Sequence, residues 1–316
     1  MRLFIINLLF LCIGVLSYGA THEIKEESTD LVEFKFDWDG YERLYYVHFP
    51  PADKMQRPLP LLFNLHGGGG RAKRTPKLTF NRFNDLADEK GFIVIYPQGI
   101  ERQWNDGRKD KGVTAWREDI DDVGFITEII SRMKSTYNID EQRIFTTGMS
   151  NGGFMSTRLA CEKSDIFRGA AIVTAQISDS YYPKCQPSQA LGILVMNGTN
   201  DPLVPYEGGD IVVLNQNRGS IISTEDYVAF WAKNNNCKNQ NPNQNLPNIN
   251  RRDGSTVTKR EYSDCDQGGA LQLYTINGGG HTWPGGKQYW TKKMIGTTNK
   301  DINACDVIWA FFESLD

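Results

Sequence analysis

The pentapeptide Gly148-Met149-Ser150-Asn151-Gly152 constrains this chain more than any other stretch. Before it runs Arg143-Ile144-Phe145-Thr146-Thr147, β-branched and aromatic, and after it Asn151 to Lys163 reads as a helix. A G-x-S-x-G between a strand and a helix is a sharp turn that lifts the serine hydroxyl above a sheet edge. The same residues would also suit an ordinary turn whose serine caps the helix. The strand and helix on either side favour a nucleophile.

The surrounding pattern is compatible with such a turn. Val32 to Trp38 and Arg43 to His48 alternate as paired antiparallel strands. Apolar strand-like runs then alternate with amphipathic ones. The strands are Leu61 to Leu65, Phe92 to Tyr96, Ile144 to Thr147, Ala170 to Val173, Gly192 to Met196 and Leu271 to Ile276. The helices are Phe80 to Lys90, Asp122 to Tyr137, Gly152 to Lys163, Ser223 to Asn234 and Asp301 to Ser314. Near-continuous apolar strands between helices predict an α/β fold, a mostly parallel sheet flanked by helices on both faces. Two polar segments, Ile100 to Glu118 and Asn234 to Asp253, read as surface excursions. No repeat or appended binding module is apparent.

A serine needs a base, normally a histidine oriented by a carboxylate. On this fold the chain order is serine, acid, histidine. His22, His48 and His66 precede Ser150, and only His281 follows it. His281 comes after a strand and the flexible Asn277-Gly278-Gly279-Gly280, so a loop at the strand end presents its imidazole. The acid must lie between them. Asp201 is favoured because one short turn separates it from the strand Gly192 to Met196; Asp210 is the runner-up. The oxyanion needs backbone donors. Gly67 and Gly68, in the run His66 to Gly70 after a strand, supply them, together with the amide of Asn151. No Lys-Ser/Thr follows the glycines, which argues against a phosphate loop. His66 is expected to orient this loop. The Asp121-Asp122 pair is expected to cap the next helix.

Residues 1–19 read as a secretory signal peptide, with Arg2, an apolar run from Leu3 to Leu16 and small residues before a cut after Gly19. The run is shorter than the ~20 residues of a spanning helix. Residues 20–316 are expected to form a single catalytic domain, secreted and extracellular, with no membrane partner. The formal net charge is −3 and no basic block occurs, so nothing points to nucleic acid. No obligate protein partner is evident. Outside the leader lie Cys161, Cys185, Cys237, Cys265 and Cys305. Export favours disulfides, and the odd number leaves one thiol over. Cys305 is the candidate, on one helical face with Ile302, Trp309 and Phe312. No C-x-x-C pair exists, so no metal site is expected. Asn197-Gly198-Thr199 matches a glycosylation sequon but abuts Asp201, and is expected to be unused.

Several motifs occur in a recognisable order. Leu65-His66-Gly67-Gly68-Gly69, Trp104-Asn105-Asp106-Gly107-Arg108 and Asp121-Asp122-Val123-Gly124-Phe125 precede the serine pentapeptide. Asn197-Gly198-Thr199-Asn200-Asp201-Pro202 and Gly278-Gly279-Gly280-His281-Thr282-Trp283-Pro284-Gly285-Gly286 follow it. Together they resemble the secreted polyhydroxybutyrate depolymerase and feruloyl esterase family of α/β-hydrolases, from about Val32 to Phe312. The resemblance implies the α/β-hydrolase fold, a triad of Ser150, Asp201 and His281, and no cofactor. It also implies disulfides Cys161–Cys185 and Cys237–Cys265. Cys305 departs from the family, where a small polar residue is usual. The implied substrates are feruloyl and acetyl esters on plant xylan or hydroxyalkanoate polyesters. Trp104 and Trp283 are expected as aromatic walls for a phenolic ring or sugar face, or else as packing residues. A feruloyl esterase is favoured over a hydroxybutyrate oligomer depolymerase or an acetylxylan esterase. A peptidase and a non-catalytic binding protein on the same fold are the remaining alternatives.

Overall fold

A computed structural model describes residues 31–108 and 112–315. The expected leader, residues 1–19, lies outside the described residues. Strands are numbered in chain order: β1 Val32–Trp38, β2 Tyr41–His48, β3 Leu59–Leu65, β4 Ile93–Pro97, β5 Ile139–Met149, β6 Gly169–Val173 and β7 Gly192–Gly198. They continue as β8 Gly209–Val213, β9 Gln216–Ile221, β10 Asn239–Gln240, β11 Gln244–Asn245, β12 Thr256–Ser263 and β13 Ala270–Asn277.

Eleven strands form one sheet in the order β1-β2-β4-β3-β5-β6-β7-β13-β12-β10, with β11 also paired to β12. The run from β4 through β13 is parallel throughout. The flanks β1-β2 and β12-β10 are antiparallel. This is the mostly parallel sheet that the sequence pattern predicts, in the α/β-hydrolase arrangement that the family resemblance implies.

Burial explains the alternation. One sheet face turns Leu62, Val94, Phe145 and Leu194 towards helices Arg82–Lys90 and Ala304–Glu313, which bring Phe83, Leu86, Trp309 and Phe312. The other face turns Leu61, Phe63, Ile93 and Ile144 towards helices Asp122–Thr136 and Asn151–Glu162, with Phe125, Ile129 and Leu159. Further along, Ile172, Ile193 and Leu273 pack on helix Thr224–Asn234 through Tyr227 and Trp231. Strands with both faces covered have no polar side to show, hence their continuous apolar sequence.

One expectation changes, and two elements lie outside the sequence pattern. Ile100 to Glu118 is not a plain surface excursion: Trp104, Asn105 and Asp106 are buried in it. Their polar groups are taken inside because neighbours satisfy them; Asn105 Nδ2, for example, donates to Asp119 and to the Ile120 carbonyl. Strand β12 was hidden by a charged sequence, Thr-Val-Thr-Lys-Arg-Glu-Tyr-Ser, with most side chains partly exposed near the sheet edge. The β8-β9 hairpin forms a separate two-stranded sheet. Asn234 to Asp253 stays largely exposed, apart from its short pairings to β12.

Disulfides join Cys161 to Cys185 and Cys237 to Cys265, and Cys305 is a buried free thiol. Burial pushes that thiol far above its ordinary pKa, so it is held protonated. Asp121 caps helix Asp122–Thr136 by accepting from Gly124 N at 2.8 Å. Asp122 is instead buried against Arg43 at 2.6 Å. Asn197 is 2% exposed, and its side-chain amide is engaged by Ala175 and Thr224, which leaves no room for a glycan in the folded chain.

Candidate active site

Ser150 stands at the junction of β5 and helix Asn151–Glu162, with φ 57° and ψ −123°. Side-chain-bearing residues rarely hold such angles. Gly152 is required there, since a Cβ would lie 2.2 Å from the Leu65 carbonyl oxygen. That closeness presses the serine turn against the end of β3, where the glycine loop begins.

The loop from Gly67 to Gly70 passes beside the serine. A Cβ on Gly67 would be 3.7 Å from the Ser150 Cβ. Within the loop, Gly70 N donates to Gly67 O at 2.9 Å, and Gly69 N donates to Arg102 O at 2.9 Å. The amides of Gly67, Gly68 and Asn151 have no acceptor among the described residues. Backbone donors without an acceptor, on residues that border the same cavity as Ser150, are suited to a developing oxyanion.

His66 holds this loop. Its Nε2 accepts from Gly99 N at 3.0 Å and from Gln98 Nε2 at 2.9 Å, while Nδ1 lies 2.8 Å from Gly67 O. That network places the proton on Nδ1. Burial pushes the His66 pKa down to about 4, with the Arg102 charge adding and the Gly67 carbonyl opposing. A histidine kept neutral and fully bonded is a brace, as expected from the sequence.

Asp201 and His281 meet from two different strand ends. Asp201 Oδ2 is 2.7 Å from His281 Nδ1. Asp201 Oδ1 accepts from Leu203 N at 2.8 Å and Val204 N at 2.9 Å, so both oxygens are fixed. Asp210 is exposed on β8, paired opposite Ser220. Both Ser150 and His281 border one cavity of about 480 Å³. No hydrogen bond joins their side chains here; such bonds often tighten only when substrate binds.

The side chain of Asn151 has a part that sequence did not suggest. Its Oδ1 accepts from Trp104 N at 2.9 Å, and its Nδ2 donates to Asp106 Oδ2 at 2.6 Å. Asp106 also receives Arg108 at 2.6 Å. The buried Trp104-Asn105-Asp106 segment therefore clamps Asn151, which borders the cavity next to Ser150.

The two tryptophans, expected as substrate walls or else as packing residues, are both buried. Trp104 is 0% exposed, donates Nε1 to His66 O at 2.9 Å and lies with its ring 4.8 Å from the His66 ring. Trp283 is 1% exposed, edge-on to Phe83 at 5.9 Å. Both also border the cavity that Ser150 and His281 share. The accessible aromatics bordering the cavity are Trp116, Tyr289 and Trp290. Trp290 is 44% exposed, and Tyr289 donates its hydroxyl to His281 O at 3.0 Å. Burial and the Asp201 charge push the Tyr289 hydroxyl pKa upward. Ile211 and Val213 of the hairpin complete the apolar lining with Leu203 and Val204. Tyr289 and Trp290 follow the His281 motif closely in sequence, a signal that was readable; the hairpin carried none.

Among the described residues there is no cluster of side chains fit to hold a metal, and no helix long and apolar enough to cross a membrane.

The chain is similar to several known proteins. The model of the prolyl oligopeptidase family matches residues 85–201, which include Ser150 and Asp201. NocK of Nocardia uniformis subsp. tsuyamanensis, an esterase by name, is 29% identical over 276 residues, covering 84% of this chain and 78% of NocK. Feruloyl esterase B of Piromyces equi is 30% identical over 254 residues, or 78% of this chain. The match spans only 44% of that longer relative. Among solved structures, an acetyl xylan esterase from Aspergillus awamori superposes with a TM-score of 0.59 at 13% identity, covering 89% of this chain and 99% of that one. At that identity the likeness concerns the fold.

Proposed function

We propose that this chain, a serine carboxylic-ester hydrolase of the α/β-hydrolase fold, is a secreted feruloyl esterase acting on hydroxycinnamoyl esters of plant polysaccharide. The observation carrying the catalytic part is the meeting of Asp201 and His281 at 2.7 Å beside the cavity that Ser150 also borders. Ser150 Oγ attacks the ester carbonyl carbon while its proton passes to Nε2 of His281. Asp201 holds the Nδ1–H of the imidazole and stabilises its charged form. The oxyanion rests on the amides of Gly67, Gly68 and Asn151. As the intermediate collapses, His281 gives its proton to the departing alcohol. Water then attacks the acyl-enzyme by the same route and releases the acid and Ser150. No step calls for a cofactor.

The feruloyl preference is supported by the name of a relative and by the aromatic border of Trp116, Tyr289 and Trp290. A planar phenolic ring stacks on such surfaces. Export is supported by the leader-like residues 1–19 and by the two disulfides, which persist in oxidising compartments.

The test compares methyl ferulate, acetylated xylan, hydroxybutyrate trimer, 4-nitrophenyl acetate and a peptide anilide. Methyl ferulate is expected to give the highest kcat/KM. Faster trimer hydrolysis, unchanged in Trp290→Ala, would refute the feruloyl reading and leave a polyester-oligomer hydrolase. Preferred anilide cleavage would make it a peptidase. Failure of a fluorophosphonate to label Ser150 would leave a binding protein.

A further inference from the structure

The cavity is bordered by Arg71, Arg74, Arg102, Arg108 and Arg218, and among the described residues by no aspartate or glutamate. The chain as a whole carries a formal net charge of −3, so this positive rim is not an average property of its surface. Arg108 is already matched to Asp106 at 2.6 Å. Arg71, Arg74 and Arg102 are different. All three are exposed, and none forms an ion pair with a carboxylate of the described residues.

Their placement is fixed from the backbone. Arg102 carries a positive φ of 64°, and its carbonyl receives Gly69 N at 2.9 Å, which ties it to the glycine loop. Arg74 N donates to Arg71 O at 2.8 Å, and Ala72 N between them donates to Gln98 Oε1 at 2.9 Å. A second groove adjoins the cavity. It is bordered by Leu44, Tyr46, Lys73 and Gln98 together with the same three arginines. The arginines therefore stand where the cavity opens into that groove, on the glycine-loop side of Ser150. Guanidinium groups match carboxylates in a planar, two-pronged geometry, and a cleft lined by one sign of charge concentrates the opposite sign.

We propose that Arg71, Arg74 and Arg102 form a carboxylate-recognition rim, so that the preferred esters carry an acidic group on the glycine-loop side of the scissile bond. This rests on the esterase reading above and narrows its substrate class. Two sources supply the group: a uronic acid of a plant polysaccharide, or the free terminal carboxylate of a hydroxyalkanoate oligomer.

The experiment uses matched pairs on the full-length secreted protein. One pair is acetylated glucuronoxylan oligosaccharides and the same oligosaccharides with their uronic carboxyls reduced to alcohols. The other is hydroxybutyrate trimer and its methyl ester. The wild type is expected to favour the acidic member of at least one pair by tenfold or more in kcat/KM, through KM. The pair that shows it identifies the source. Raising salt from 20 to 500 mM should shrink the preference, since exposed charges are screened beyond a few ångströms at high salt. Arg74→Gln/Arg102→Gln should lower the acid-to-neutral ratio tenfold, and Arg74→Lys/Arg102→Lys should restore part of it. Equal rates on both members of both pairs, or a preference untouched by the glutamine changes, would overturn the rim. Absence of turnover on 4-nitrophenyl acetate would instead sink the esterase reading, and the rim with it.

Discussion

Asp201 Oδ2 reaches Nδ1 of His281 at 2.7 Å, although 80 residues separate them in the chain. With its other oxygen held by Leu203 N and Val204 N, the carboxylate fixes one imidazole orientation. Asp201→Asn is expected to lower kcat by about 10³–10⁴ through the wrong tautomer while circular dichroism is unchanged. Asp210→Asn should be silent. The reverse pattern would move the acid to Asp210.

Ser150 holds φ 57° and ψ −123°. Holding such a conformation costs about 1–3 kcal/mol, and glycine relieves it. Ser150→Ala and Ser150→Gly should both abolish ester turnover. The glycine variant is expected to melt above the alanine variant, in spite of its larger unfolded entropy. Equal or lower melting of Ser150→Gly would show that the turn is unstrained.

Trp104 and Trp290 should respond differently to truncation. Trp104→Ala empties a buried site and removes the bond to His66 O, and a loss of about 3–5 kcal/mol in urea unfolding is expected. Trp290→Ala should leave stability within about 0.5 kcal/mol and raise KM for methyl ferulate several-fold. A stable Trp104→Ala with a raised KM would make Trp104 a substrate wall rather than a packing residue.

His66 links loop geometry to pH. Its pKa is about 4 in the fold against 6.5 for an ordinary histidine. Between those values the unfolded chain binds the extra proton, so stability rises with pH across that window. The contribution is complete above about pH 6.5 and is lost as pH falls towards 4; its size is roughly 3 kcal/mol. Urea midpoints measured from pH 7 to 4.5 should fall more steeply for wild type than for His66→Asn. Parallel slopes would mean that His66 is not titrating against folding.

Cys305 should resist alkylation in the native protein and react at once in denaturant, since it is buried with its thiol held protonated. Non-reducing peptide mapping should recover the pairs Cys161–Cys185 and Cys237–Cys265. Any bridge through Cys305 in exported protein would contradict the arrangement.

The sequence by itself determined the elements that carry their own period or turn chemistry. The parallel strands were legible because both of their faces are buried, and the helices because one face is. The serine turn, the glycine loop after β3 and His281 after β13 were legible because strand ends with glycines leave little choice of local conformation. Chain order then singled out Asp201 by its distance from β7 alone. Tertiary structure decided whatever depends on which buried surface is nearest. Trp104 reads in sequence as a substrate wall or a packing residue; its segment folds inward to brace His66 and Asn151, and the ring still borders the cavity. Trp290, equally aromatic, stays at the mouth. The β8-β9 hairpin has no hydrophobic period of its own, because only Ile211 and Ile221 are buried and the cavity decides which residues line it. The arginine rim is spread over two segments that meet only once β3 and β4 pair, and no local pattern records that meeting.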